Sequence, residues 1–364
     1  MKKYKRLSNF ELLRILSMFM ILIHHFAYHG TFNGQQFDMH RASVQVVYNY
    51  LLIIGKAGVV AFVLIGAYFL SDKKFNFNRP VNLMIQTIFY SFVIYYVVIT
   101  WFLNYIKPIK NVDMWLPFPL PSNYWFVISY IVMLFLMPIL NMILNNFTQQ
   151  KLLLIISFLF LIWNVFAIIG NIFPGKIDNI NFTNYTESNY FCELYLIAGY
   201  IRRYNPNWSN SLFITGISFI ISAILPILLI ISLNNKNMYK VLTQNMAVLN
   251  NPFSLFMGVT LFVMFKNINI GRISIINYIA NSMFGVYLIH DNSFVRIILW
   301  KHLINSQQYI QNWQSYLLMG LYYSFLVFVI CILIDCLKRI IFNKALNYVS
   351  NKLSYRFNKL TKII

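Results

Sequence analysis

The sequence predicts an all-α fold: a polytopic transmembrane helical bundle of about ten spans with both termini cytoplasmic. Three observations predict it. Of the 364 residues, 59% are hydrophobic and 18% aromatic while only 10% are charged, and the mean hydropathy is +0.62. A soluble chain of this length needs far more charge to cover its surface. Apolar runs near the roughly 20 residues that cross a bilayer core recur from end to end. Basic residues collect in alternate connections, as the positive-inside rule requires.

The candidate spans are, in order, 10–30, 50–70, 82–106, 123–144, 152–172, 190–201, 211–233, 252–266, 273–291 and 317–337. The sixth and eighth are short and depend on their neighbours to cross. With both ends inside, the cytoplasmic segments hold nineteen of the 29 basic residues: four before the first span, then Lys73, Lys74 and Arg79, then Lys151, Arg202 and Arg203, then Lys266 and Arg272, and seven from Lys338 onward. That is a bias of about two to one in the direction expected. The formal charge of +20 is therefore topology, with membrane lipid as the partner and no nucleic acid, because the cations stand in ones to threes between apolar runs. Cys192, Cys331 and Cys336 have no metal spacing and lie in or beside apolar segments, so no disulfide and no metal site is expected. No repeat or long linker divides the chain, so residues 1–364 are expected to form one membrane-embedded domain with no appended soluble domain.

The first span is the richest. Within RLSNFELLRILSMFMILIHHFAYHG, Arg6 to Gly30, an apolar run carries Glu11, Arg14, His24 and His25. An ionisable side chain inside a span costs a few kcal/mol unless paired or hydrated, so each is a functional hypothesis. On a helix Arg14 and His25 fall within roughly 20° of one another and about 16 Å apart along the axis. Glu11 lies three residues before Arg14 and can pair with it, whereas His24 is turned about 100° from His25. The loop Leu70 to Pro80, LSDKKFNFNRP, is a compact basic hairpin whose bland reading is topology and anionic-lipid contact. The external loop Lys107 to Ser122 holds four prolines and leads into a span that opens on the belt aromatics Tyr124 and Trp125 and that Pro138 should kink.

Asn171 to Asn189 reads as a solvated external connector or as a sugar-contacting loop. Glu193, in the short sixth span, is either a bundle-facing hydrogen-bonding group or part of a site. The ninth span ends on Tyr287, His290 and Asp291, of which Tyr287 and His290 share a face. Ser293 to Tyr316 mixes Phe294, Ile297, Ile298 and Trp300 with Arg296 and Lys301, a pattern for a segment lying along the membrane interface.

The intramembrane inventory, Glu11, Arg14, His24, His25, Lys56, Glu193 and His290, is too polar for an anchor. A neutral imidazole can take a proton from an alcohol, and an arginine can hold phosphates or stabilise developing negative charge. His25 is thus a base candidate, or a structural histidine bonded between helices. Intramembrane charges equally mark transport paths, so a membrane exporter or flippase is the alternative; a polymerase would more usually carry large external loops.

Three stretches resemble the acyltransferase-3 family of integral membrane O-acyltransferases of bacterial surface glycans. FELLRILSMFMILIHH carries the first-span arginine followed by a histidine, Arg14 and His25; YWFVISYIVMLFLMPILN is similar to an aromatic-led span ending in Pro and Asn; and MFGVYLIHDN resembles a late Phe-Gly-x-Tyr-Leu-x-His signature. The resemblance implies transfer of an acyl group, most often acetyl, from cytosolic acyl-CoA to a hydroxyl of an exopolysaccharide, capsule, lipid-linked oligosaccharide or other envelope glycan, at the bacterial cell membrane. It implies His25 as the catalytic imidazole, Arg14 as its partner, and Lys73, Lys74 and Arg79 as the CoA-binding loop, with lysines where many members show arginines. Acetyl-CoA is then a donor substrate, with no permanently bound cofactor. Glu11, Trp125, Glu193, Tyr287 and His290 remain as residues that contact substrate or support the site.

Overall fold

A computed structural model describes residues 7–32, 42–106, 124–172, 186–234 and 245–360. Among these the chain is helical with no strand. Helix α1 (Ser8–Ala27) runs on into a widened, π-helical turn, Tyr28–Phe32; α2 is Ala42–Leu70 and α3 Asn78–Trp101. Next come α4 (Trp125–Asn146), α5 (Gln149–Leu159, extended through a π-helical stretch, Phe160–Phe166), α6 (Glu187–Tyr204) and α7 (Leu212–Asn234). The chain continues with α8 (Pro252–Asn267), α9 (Ser274–Ala280), α10 (Met283–His290), α11 (Ser293–Arg296, widening into Ile297–Ile304) and α12 (Trp313–Leu360).

Eight helices in the described residues are long and apolar enough to cross a membrane, against ten expected from apolar length. The expected sixth span falls in α6, whose 18 residues include Glu187, Glu193, Arg202 and Arg203. Those charges lower its hydropathy and instead suit its ends, with an acid in the first turn and two arginines in the last facing the helix dipole. The expected ninth span is broken at Asn281–Ser282 into α9 and α10. The expected eighth, in contrast, lengthens to Asn245–Asn267, 23 residues, and there Asn251 caps α8 by accepting from Phe253 N at 2.8 Å, with Pro252 at the first helical position. Helix α4 is continuous through Pro138. The proline-rich loop Lys107 to Ser122 and most of the connector Asn171 to Asn189 lie outside the described residues. In Ser293 to Tyr316, read from the sequence as an interfacial segment, Phe294, Ile298 and Trp300 are buried in the protein while Lys301, Leu303 and Trp313 are exposed.

Helix α1 is the hub, packed chiefly on α2 and also against α8, α9, α10 and α12. Its contact with α2 is close because Gly55 leaves room. A Cβ there would overlap His24 Cβ, and one at Gly58 would sit 2.7 Å from the Ser17 carbonyl. Small residues let membrane helices approach where lipid supplies no hydrophobic drive between them. The start of α1 is tied by polar bonds: Ile273 N donates to Ser8 Oγ at 2.8 Å and Asn9 Nδ2 donates to the Phe265 carbonyl at 2.9 Å. Helices α5 and α7 are mostly exposed and apolar, the surface expected to meet lipid. The outcome is a pair of deeply buried helices, α1 and α2, whose polar residues face other helices.

Candidate functional site

The last turn of α1 and the turn beyond it place His24, His25, Tyr28 and His29 around a cavity of about 370 Å³. The opposite wall comes from Lys56 of α2, Trp125 of α4 and Tyr287 and Asp291 of α10 and its end, with Arg296 of α11 and Glu187 of α6 completing the polar lining. His25 and His29 are four apart and so share the face that looks at α10. The break at Asn281–Ser282 restarts the chain as α10, and Gly285 admits Asp335 of α12, whose Oδ1 would collide with a Cβ at that position. Asp335 in turn accepts from Tyr90 Oη at 2.7 Å and pairs with Arg339 at 3.2 Å. This network fixes α10 against α3 and α12.

At the end of α10, His290 Nε2 lies 3.0 Å from His25 Nδ1. His290 Nδ1 donates to the Val286 carbonyl, one turn back, at 2.6 Å. Asp291, 1% exposed, gathers three groups at Oδ1: Arg296 Nε at 3.3 Å, His25 Nδ1 at 3.7 Å and His29 Nε2 at 3.9 Å. Arg296 Nε also donates to the Asp291 carbonyl at 3.0 Å. The next residue, Asn292, caps α11 through Phe294 N at 3.0 Å and donates to Tyr124 Oη at 2.8 Å, while Tyr124 donates to the Leu288 carbonyl at 2.9 Å. His290, Arg296, Asn292 and Tyr124 at this corner are thus each oriented by a hydrogen bond.

His24 differs from the sequence expectation in lining the same cavity as His25. Its Nδ1 donates to the Leu52 carbonyl at 3.1 Å and its ring stacks on Tyr28. Lys56 Nζ stands 6.0 Å from the Trp125 ring centroid, within cation–π reach.

Arg14 is not brought to His25. It pairs with Glu11 at 3.3 Å and lies over Phe62, 5.5 Å from the ring centroid. Phe62 also lines the histidine cavity. Lys73, Lys74 and Arg79 are brought together around a second cavity of about 140 Å³. The basic loop is held from α4: Asn141 Nδ2 donates to the Lys73 carbonyl at 3.0 Å and Asn141 Oδ1 accepts from Tyr195 at 2.8 Å.

Glu193 lies apart from both cavities. Fully buried, it accepts from Asn164 Nδ2 at 3.0 and 3.1 Å, across the contact between α6 and the widened part of α5. Of its two sequence readings this is the bundle-facing one. Trp125 and Tyr287 line the histidine cavity and His290 meets His25, whereas His29 and Glu187, which also line it, and the contacts of Asp291, Arg296 and Lys56 were not read from the sequence. For His29 the signal was its spacing of four from His25. For Arg296 no local signal exists, because its partner is set by the turn after α10. His25, His29 and Asp291 also present ligand atoms within 4.8 Å of one another. A divalent cation there would have to displace His290 from His25 Nδ1 and compete with Arg296 for Asp291.

Fold and site together define a polytopic helical membrane protein with a buried histidine–carboxylate corner opening on an internal cavity. The chain matches the family model for an acyltransferase domain, acyltransferase-3, over residues 7–336. It belongs to that family and is an acyltransferase. No curated protein and no solved structure matches it.

Proposed function

We propose that the protein transfers an acyl group, acetyl in the first instance, from cytosolic acyl-CoA to a hydroxyl of a cell-envelope glycan, with His25 as general base. The observation that carries this reading is the position of His25, a buried imidazole at the edge of a cavity, backed by His290 and Asp291, in a chain of the acyltransferase-3 family.

The acyl donor binds from the side bearing the basic loop, where Lys73, Lys74 and Arg79 meet its phosphates. Its thioester passes Arg14 to reach the histidine cavity. A sugar hydroxyl enters from the opposite side against Trp125 and Tyr287. His25 removes the hydroxyl proton as the oxygen attacks the thioester carbonyl, and Lys56 stabilises the negative charge that builds on the carbonyl oxygen. The carbon–sulfur bond then breaks, and the proton held by His25 passes to the departing sulfur. Ester and free CoA leave, and the imidazole is restored.

Both termini lie on the donor side in this reading, and the membrane is that of a bacterial cell. The test is consumption of acetyl-CoA by the purified protein in nanodiscs, followed as released thiol with and without glycan acceptor, alongside NMR of the surface polysaccharide from cells with and without the gene. Ester groups that disappear while the glycan is still made and exported support acyl transfer. Loss of exported glycan with no thiol release instead identifies a flippase or exporter.

A further inference from the structure

We propose that His290 is a positioning residue that locks His25 in the tautomer with its proton on Nδ1, so that Nε2 is the atom that takes the acceptor's proton. The inference rests on the acyltransferase reading of the cavity and deepens it.

Proton bookkeeping along α10 leads there. The Val286 carbonyl can only accept, so the 2.6 Å contact from His290 Nδ1 requires the hydrogen to sit on that nitrogen. A neutral imidazole has one N–H, which leaves His290 Nε2 with a lone pair. The 3.0 Å approach of His25 Nδ1 to that lone pair then requires His25 to be the donor. With its single hydrogen on Nδ1, His25 carries its own lone pair on Nε2. The opposite arrangement needs both nitrogens of His290 to bear hydrogens. That would add a third charge in a buried corner where Asp291 and Arg296 already compensate one another.

The same corner serves the next step. When the acceptor O–H bond breaks, the proton goes to His25 Nε2 and the ring becomes an imidazolium. Asp291 Oδ1, 3.7 Å from Nδ1, faces the new charge, and His290 still accepts the Nδ1 hydrogen. When the carbon–sulfur bond breaks, the Nε2 proton goes to sulfur and the starting tautomer returns. His290 neither gains nor loses a proton over the cycle. Its part is that of the orienting group in any base-plus-orienter pair, where a wrong tautomer leaves the geometry intact and removes the base.

Two measurements test this. The protein labelled with ¹⁵N-histidine in nanodiscs should give, for the pair of signals lost in His25→Ala, a protonated Nδ1 and an unprotonated Nε2. Those signals should shift toward the other tautomer in His290→Leu. In acetyl-CoA turnover, His290→Leu should lower kcat about a hundredfold with KM for acetyl-CoA unchanged within about twofold. His290→Gln, whose amide oxygen can accept at the Nε2 position, should recover activity to within about tenfold of the parent. Both variants should fold with the parent's thermal midpoint, and the glutamine variant guards against a loss that is only structural. An Nε2–H tautomer in the parent, equal loss in both variants, or stoichiometric divalent metal on the purified protein would each overturn the inference. The NMR measurement needs no substrate, so an Nδ1–H tautomer in a protein that transfers no acyl group would refute the functional reading alone.

Discussion

Replacing the imidazole at position 25 isolates what the base contributes, because His24 and His29 line the same cavity and stay in place. His25→Ala should reduce acyl transfer by about 10²- to 10⁴-fold at unchanged expression, the range for a lost general base, measured as ester content of the surface glycan. Full esterification in that variant would exclude the assignment, and His29 would become the base to test. On the side proposed to meet the donor, Lys73, Lys74 and Arg79 surround one small cavity. Charge-assisted bonds to phosphate are worth about 1.5–3 kcal/mol each, so each alanine variant should raise KM for acyl-CoA about tenfold or more and leave kcat within about twofold. A kcat effect instead would place the loop in the chemistry. The Arg14 and His25 spacing was readable because a helix period governs it. The partners of His25 were not, because Asp291 and Arg296 reach it through the turn that ends α10 and through α11, and no periodicity within α1 encodes those.

At the level of helices, the site depends on how closely α1 and α2 approach. A Cβ at Gly55 would overlap the Cβ of His24, and that contact is backbone-proximal on both sides, so neither helix can yield by a rotamer change. Gly55→Val should therefore cost about 1–3 kcal/mol or more, as overpacked cores do, and lower the thermal midpoint in detergent together with activity. Gly216 of α7, where an added methyl group would meet nothing within 4 Å, is the matched control, and Gly216→Ala should be neutral or slightly stabilising. A Gly55→Val protein as stable as Gly216→Ala would show that α1 and α2 separate freely. Apolar length located the long helices well. It read α6 and the pair α9 and α10 as single spans, because length and hydropathy do not register charges at helix ends or a break such as Asn281–Ser282. That break is what sets Tyr287, His290 and Asp291 at the cavity.

Across the whole molecule, α12 connects α1, α3 and α10 with the basic loop. Its 48 residues make a rod of about 72 Å, more than twice the roughly 30 Å of a bilayer core, so much of it must lie beyond any span. The expected end at 337 fell near its middle because apolar character stops there while helix propensity does not. Beyond the 7–336 family match, the helix returns to the loop between α2 and α3. Asn358 Oδ1 accepts from Phe77 N at 3.0 Å, Asn358 Nδ2 donates to Asn78 Oδ1 at 3.2 Å, and Phe357 stacks on Phe77 with centroids 5.4 Å apart. Phe77 and Asn78 sit between Lys74 and Arg79, so this contact constrains the loop proposed to hold the donor. An ordered loop loses less conformational freedom on binding. Ending the chain after Asn343 should thus raise KM for acyl-CoA several-fold, with kcat and the thermal midpoint little changed, since the helical hub is built from α1 and α2. Phe357→Ala with Asn358→Ala in the full chain should reproduce the effect. If the truncated protein binds acyl-CoA as the parent does while the loop alanines do not, the loop holds its shape through Asn141 alone and the α12 contact serves only to pack the end of the helix.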